Sequence, residues 1–357
     1  MTGVDMRYTT FGRGTGLRVS EYALGTVNFG TRWGGGAEPD EARKVFDRFA
    51  DAGGTLIDTA DCYQFGQAEE LLGDFLAADR DHFVLATKFG YGSTAQPRIS
   101  GTGNSRKNIV RSVEASLVRL STDYIDLYWA HFPDTVTPLE EILGALDDLV
   151  RAGKILHAGL SNFPAWQVSR AVTIAELRHL APVTAIQTEY SLADRTAERE
   201  LLPMAQSLGL GVGLWSPLGG GLLTGKYRTG AEGRLTDWKG RVIRTESTGQ
   251  RTAVVDAVCA IAAETGLPAS QVSVAWVRER ARHAATAFVP VIGPRTVAQL
   301  DDYLAALDVD LTGEQLARLD EASAVALGSP HEVSAAARGR LLGGDPERVR
   351  VPGITAL

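Results

Sequence analysis

The chain has 357 residues, 44% hydrophobic and 22% charged, enough apolar material for the full core of an ordinary globular protein. Its formal net charge of −7 and lack of a long basic run withhold the field that binding a phosphate backbone needs, so nucleic acid is not an expected partner. Two cysteines, Cys62 and Cys259, make no disulfide framework, the six histidines form no HExxH pair, and no stretch reads as a signal peptide or membrane helix, so we expect no metal, no membrane and a reducing cytoplasm.

In chain order, Tyr8 to Phe11 and Leu17 to Val19 flank a glycine-rich turn and read as a β-hairpin that could plug one end of a barrel. Eight short, β-rich apolar runs follow, at 21–25, 55–58, 83–87, 124–130, 155–160, 184–188, 211–215 and 288–292. Amphipathic helical patterns lie between them. The clearest, 138–152, carries Leu139, Ile142, Leu143, Leu146, Leu149 and Val150 on one stripe. Thr137 is its expected N-cap, Pro138 its first residue, Glu140 the partner in a capping box and Gly153 its left-handed cap. Strand–helix alternation repeated eight times predicts an α/β fold, a (β/α)8 TIM barrel forming one domain over 1–357. The polar stretch of about 218–249 is long enough to be a lid. Residues from about 326 to 357 show only weak helical periodicity and receive no assigned structure.

Barrels of this kind build their sites at the C-terminal ends of strands, and those positions are strongly polar here. They are Asp58, Lys88, His131, Ser161 with Asn162, Gln187, and Ser216, and Tyr63 lies five residues beyond Asp58. Singly, each has a structural explanation: a helix cap, a buried polar group, a packing ring. Together around one mouth, a carboxylate can hold an ammonium and the ammonium can favour ionisation of a phenol.

The motifs IDTADCYQFGQAEELLG at 57–73, LATKFG at 85–90, DYIDLYWAHFPD at 123–134, GLSNF at 159–163, IQTEYSL at 186–192, WSPLGGGLLTGKY at 215–227 and VIGPRTVAQLDDYLAAL at 291–307 resemble the aldo-keto reductases. The likeness runs over roughly residues 6 to 325 and is greatest to the branch related to potassium-channel β subunits. It implies a catalytic tetrad in which Tyr63 donates a proton, Lys88 lowers its pKa, Asp58 pairs with Lys88 and His131 orients the substrate carbonyl. It implies NADP as cofactor, with Trp215 stacked on the nicotinamide and Ser161, Asn162 and Gln187 on its carboxamide. Ser216, Leu218, Gly219, Gly225 and Lys226 would line the pyrophosphate, Arg295, Gln299 and Asp302 the adenosine end, and Gly25, Thr26, Asp58, Pro217, Ile292 and Gly293 the remaining contacts. Trp33, Phe89 and Phe132 are candidate substrate-pocket aromatics, and Trp129 and Trp238 are weaker ones. Arg295 would grip a 2′-phosphate, helped by free N–H groups in the first turn of the helix that Thr296 opens, which predicts a preference for NADPH.

Two positions depart from the family pattern. Its usual Tyr-Gly-x-Gly-x-Ser-Glu reads Tyr63-Gln64-Phe65-Gly66-Gln67-Ala68-Glu69, which puts the shape of that loop in question, and Tyr303 replaces a common adenine-binding Asn. A phosphate-loop spacing from Gly220 to Lys226 fails because Tyr227 follows where Ser or Thr would hold magnesium, and no GxGxxG opens a helix after the first strand. Two other functions stay open: a lyase using Lys88 as Schiff-base nucleophile, and a non-catalytic nicotinamide-sensing subunit. Cys62 reads as a small packing residue. Aldehydes, ketones and keto-sugars all remain possible small-molecule carbonyl substrates, and the oligomeric state is not legible.

Overall fold

The computed structural model describes residues 6–229 and 245–349. Eight parallel strands close into a barrel: β3 (Ala23–Gly25), β4 (Leu56–Asp58), β5 (Val84–Phe89), β6 (Ile125–Ala130), β7 (Ile155–Ser161), β8 (Val183–Glu189), β9 (Gly211–Trp215) and β10 (Phe288–Ile292). Each pairs with the next, and β10 returns to β3, so the sheet has no open edge. Every strand falls on a predicted run with its ends moved by two residues or fewer.

Two apolar layers result from the alternation of side chains along the strands. Leu56, Val84, Ala86, Leu127, Trp129, Ala185, Val289 and Val291 fill the lumen. Their neighbours Ile57, Leu85, Phe89, Tyr128, Ile186 and Ile292 face outward and join the larger core beneath the helices. Trp129 therefore belongs to barrel packing, and the Cβ that Gly159 lacks would meet its ring at 2.4 Å, so this glycine makes the room. Below, β1 (Tyr8–Thr10) and β2 (Arg18–Ser20) pair antiparallel with Tyr8 opposite Ser20. They bring Phe11, 1% exposed, edge-on to Trp129 with ring centres 6.4 Å apart. Such a pair contributes about 0.5–1.5 kcal/mol beyond its buried area, so the hairpin plugs the barrel as expected.

The helices covering the strands are α1 (Pro39–Asp51), α2 (Gln67–Leu76), α3 (Arg106–Arg119), α4 (Leu139–Arg151), α5 (Ala165–Leu177) and α6 (Leu201–Leu208). After β9 come α7 (Gly249–Thr265) and α8 (Ala269–Arg282), and after β10 come α9 (Val297–Ala305), α10 (Gly313–Ser323) and α11 (His331–Leu341). The start of α4 corrects the expected cap. Pro138, at ψ 142°, is itself the N-cap and no side chain caps the helix. The Thr137 hydroxyl instead donates to Asp134 Oδ2 at 2.6 Å, because the carboxylate, which also accepts the Val136 and Thr137 amides, is the stronger acceptor. Gly153 does take the left-handed conformation at φ 70°.

Helix α11 gives the unassigned tail a structure. None of its residues is buried, which accounts for its weak periodicity, and His331 Nε2 lies 2.9 Å from Glu200 Oε1 beside α6. In the expected lid, Gly219–Thr224 form two short 3-10 turns kinked at Gly220 and Gly221, and Lys226–Thr229 form another; Trp238 and most of the rest lie outside the described residues.

Candidate active site

The period-two register that puts Val84 and Ala86 in the lumen also puts Lys88 there, at the top of β5 and fully buried. Its ammonium donates to Asp58 Oδ2 at 2.6 Å, to the Thr59 carbonyl at 2.7 Å and to Tyr63 Oη at 3.4 Å. Gln187, from β8 across the barrel, donates to the other Asp58 oxygen at 2.9 Å. The buried carboxylate is thus held from both sides, as a charge removed from water requires.

Burial pulls the Lys88 pKa down, but Asp58 and Tyr63 together outweigh it and the pKa is raised, so the side chain is a firm cation. Tyr63 runs against the simple expectation. Burial pushes its pKa up to about 12, and the nearby Lys88 reduces that rise without reversing it. The phenol is consequently neutral and carries a transferable proton. Burial, and then Lys88, hold His131 well below the usual histidine range, leaving a neutral imidazole. Its Nδ1 lies 3.9 Å from Cys62 Sγ, its ring centre 6.1 Å from that of Tyr63, and its carbonyl accepts from Asn162 Nδ2 at 3.1 Å.

Tyr63 reaches this position through a left-handed turn. Gln64 and Phe65 adopt φ 50° and 54°, and Gly66 φ 91°. The turn leads into α2 and directs the tyrosine back over the lumen. An aromatic arc then rims the mouth. Phe65 meets Trp33 at 5.9 Å, Trp33 meets Tyr63 edge-on at 6.2 Å, Phe132 stacks on His131 at 4.5 Å, and Tyr91 lies 5.7 Å from Phe132.

The sequence profile described as the aldo/keto reductase family matches residues 22–324. The chain belongs to the aldo/keto reductase family. It is 39% identical over 328 residues, 88% of this chain and 95% of the relative, to an uncharacterized oxidoreductase, YrpG, of Bacillus subtilis. It is 35% identical to the norsolorinic acid reductase stcV of Emericella nidulans, covering 88% and 81% of the two chains. A putative aryl-alcohol dehydrogenase of Saccharomyces cerevisiae is 31% identical over 95% of this chain and 90% of its own.

Several residues that the family pattern marks for a dinucleotide gather on the same rim of this aldo/keto reductase. Trp215 ends β9 at the top of the lumen, and its Nε1 donates to Asn162 Oδ1 at 3.1 Å. Asn162 is left-handed at φ 60° and also donates to Ser161 Oγ. Ser216 Oγ accepts the Gly220 amide, and Gly219, Gly220, Gly221 and Gly225 all have positive φ, so the glycine run forms a low, defined turn. Pro217 and Leu218 lie in this turn, and Lys226 places its cation 5.2 Å from the Tyr227 ring. Gly25 and Thr26 close β3, where an added Cβ on Gly25 would strike Val291 at 2.8 Å and Thr26 N donates to the Asp58 carbonyl. The Gly293 carbonyl accepts from Asn28. A flat indole at the mouth, a glycine turn without side chains and a neighbouring cation fit a nicotinamide dinucleotide.

Other expected positions are corrected. Phe89 does not reach the pocket: next to inward-facing Lys88 it must face outward, where it packs on Tyr128 with ring centres 4.8 Å apart. Ile292 is likewise fully buried beneath the helices. Asp302 is engaged by Ser270 and Gln271 of α8, and Tyr303 packs against the outer core. The first turn of α9 is less open than expected. Gln299 accepts the Arg295 amide at 2.8 Å, Glu41 of α1 accepts the Val297 amide at 3.1 Å, and Thr296 Oγ1 accepts the Gln299 amide at 3.3 Å. Tyr91 and Phe65 were missed; their place in strand-end loops was the available signal.

Behind the site, burial and then Glu69 raise the Asp61 carboxyl from 3.8 to about 8, while Arg119 opposes them. A carboxyl whose folded pKa is raised favours folding below its unfolded pKa, and that advantage is lost as pH rises through the folded value. Asp61→Asn should therefore gain Tm relative to wild type at pH 8 compared with pH 5. Thermal melts at both pH values check this, and an offset independent of pH would contradict it.

Proposed function

We propose that this aldo/keto reductase transfers hydride from NADPH to the carbonyl carbon of an aldehyde or ketone while Tyr63 delivers a proton to the carbonyl oxygen. The observation that carries the reading is Lys88 Nζ, held between Asp58 Oδ2 and Tyr63 Oη at 2.6 and 3.4 Å beneath an open rim. The bound nicotinamide supplies the hydride. Lys88 stabilises the negative charge that grows on Tyr63 as the proton leaves, and Asp58 and Gln187 fix Lys88 from below. Neutral His131 positions the carbonyl through its ring N–H. Trp215 offers a stacking face, Ser161, Asn162 and Gln187 offer carboxamide partners, and the Ser216–Lys226 turn offers a pyrophosphate cradle.

The arc of Phe65, Trp33, Tyr63, His131, Phe132 and Tyr91 favours a planar aromatic carbonyl, in keeping with the name of the yeast relative, a putative aryl-alcohol dehydrogenase. A Schiff base at Lys88 is disfavoured, because an ammonium held by a carboxylate has no lone pair to attack with. An intact tetrad argues against a purely sensing subunit. The test is NADPH oxidation against a panel of aryl and alkyl aldehydes, ketones and keto-sugars; no turnover with any of them would refute the reading.

The cofactor preference rests on Arg295. Glu41 takes one α9 amide and adds a carboxylate nearby, so the helix start offers a phosphate less than its dipole suggests and Arg295 has more to supply. A charge-assisted Arg–phosphate contact contributes roughly 1.5–3 kcal/mol, so Arg295→Ala should weaken NADPH binding about 10- to 100-fold. NADH binding should hardly change. Fluorescence titration with both cofactors measures this, and an equal loss for the two would remove Arg295 from the 2′-phosphate.

A further inference from the structure

The loop joining β3 to α1 carries Trp33 and is fixed very differently at its foot and at its tip. At the foot, backbone does the work: Gly30 N donates to the Ala37 carbonyl at 2.9 Å and Ala37 N to the Asn28 carbonyl at 2.6 Å. At the tip, one backbone bond, Gly34 N to the Thr31 carbonyl at 2.8 Å, is joined by the side chains of two glutamines, one from the Tyr63 turn and one from the start of α2. Gln64 Oε1 accepts the Trp33 amide at 2.7 Å, and Gln64 Nε2 donates to the Gly35 carbonyl at 2.9 Å and the Val27 carbonyl at 3.3 Å. Gln67 Oε1 accepts the Thr31 and Arg32 amides at 2.9 and 3.2 Å.

Gln64 is fully buried, adjoins the proposed acid Tyr63 and stands at φ 50°, ψ 34°, a region glycine enters without strain and glutamine does not. At this position the family pattern has glycine. The chain thus carries a strained backbone at a site where glycine alone would relieve it, and the side chain present uses its whole amide on the facing loop.

We propose that Gln64 is a specificity-determining positioning residue that ties the Trp33 loop to the Tyr63 turn and fixes one aromatic wall of the substrate pocket. It acts through Trp33 and need not touch the substrate. The bonds run both ways: the amide oxygen holds the Trp33 N–H, and the amide nitrogen holds the carbonyls on either side of it. With both ends engaged, the indole stays edge-on to Tyr63 and Phe65 rather than sampling the open mouth. An aryl ring would be gripped against that wall, whereas a short alkyl aldehyde would make little use of it. The substrate part of this inference rests on the reductase reading above; the loop part does not.

The test compares Gln64→Gly and Gln64→Ala. Both remove the clamp, but only the glycine variant relieves the left-handed backbone, so its Tm should exceed that of the alanine variant. The KM for benzaldehyde should rise about five- to tenfold in both, kcat should change less than KM, and the KM for propanal should rise less than that for benzaldehyde. A residue that merely stabilised the fold would make KM follow Tm across the two variants, and that pattern would overturn the proposal. Hydrogen exchange of the segment 28–36 in protein without substrate gives a readout independent of turnover. Exchange should be about tenfold faster in both variants, and unchanged protection would also overturn it. If wild type turns over no carbonyl of the panel while exchange still accelerates, the reductase reading fails and the clamp stands.

Discussion

Replacing Tyr63 with Phe should lower kcat for carbonyl reduction by about 10² to 10⁴ while leaving the NADPH Kd within about twofold. The hydroxyl sits 3.4 Å from Lys88 Nζ and is not among the groups proposed to hold the cofactor, so its loss removes the acid and spares cofactor binding. Because burial holds the Tyr63 pKa at about 12, the phenol stays protonated throughout the working range. Reduction needs the protonated form, His131 is already neutral and Lys88 already charged. The wild-type kcat/KM should therefore be level from about pH 6 to about pH 9. Stopped-flow reduction and fluorescence titration measure the first effect and a pH series the second. A variant keeping more than about a tenth of wild-type kcat would assign the proton to another group, and a break near neutrality would show that a group other than these three controls the rate.

Lys88→Met should be nearly as damaging, by about 10² or more in kcat, because it removes the charge that stabilises the developing tyrosinate. It also strips a buried carboxylate of its cation. Breaking a buried pair from one side typically costs about 3–5 kcal/mol, so a lower Tm should accompany the lost rate. Asp58 keeps Gln187 at 2.9 Å, which softens the penalty without supplying the missing charge. Asp58→Asn should be milder in rate, since Lys88 retains the Thr59 carbonyl at 2.7 Å. The two residues act as one unit, so the double variant should be little worse than Lys88→Met alone. A double-mutant cycle on kcat tests this: rate losses that multiply would mean Asp58 and Lys88 contribute independently.

Much of the site was legible because two simple rules converge in a barrel. Polar residues at the ends of apolar strand runs mark the mouth, and alternation along a strand marks which of them face the lumen. Asp58, Lys88, His131, Gln187 and Trp215 satisfy both rules, and the structure brings all five to the same end. Phe89 was misplaced by using the first rule without the second: its neighbour Lys88 faces inward, so it cannot. The surroundings of Asp302 and of the first turn of α9 were illegible for a different reason: their partners Ser270, Gln271 and Glu41 lie on other helices.

By itself, then, the sequence determined the number and order of the barrel strands, the plugging hairpin and which polar residues stand at the strand ends, because each depends on local pattern: apolar runs, turn residues and strand ends. Tertiary structure alone decided the balances that long-range neighbours control. The Tyr63 pKa moves upward because burial outweighs Lys88, and burial depends on everything packed around the lumen. Gln64 accepts a left-handed backbone because a facing loop meets its amide from residues 29–37 positions earlier in the chain, a pairing no local signal contains.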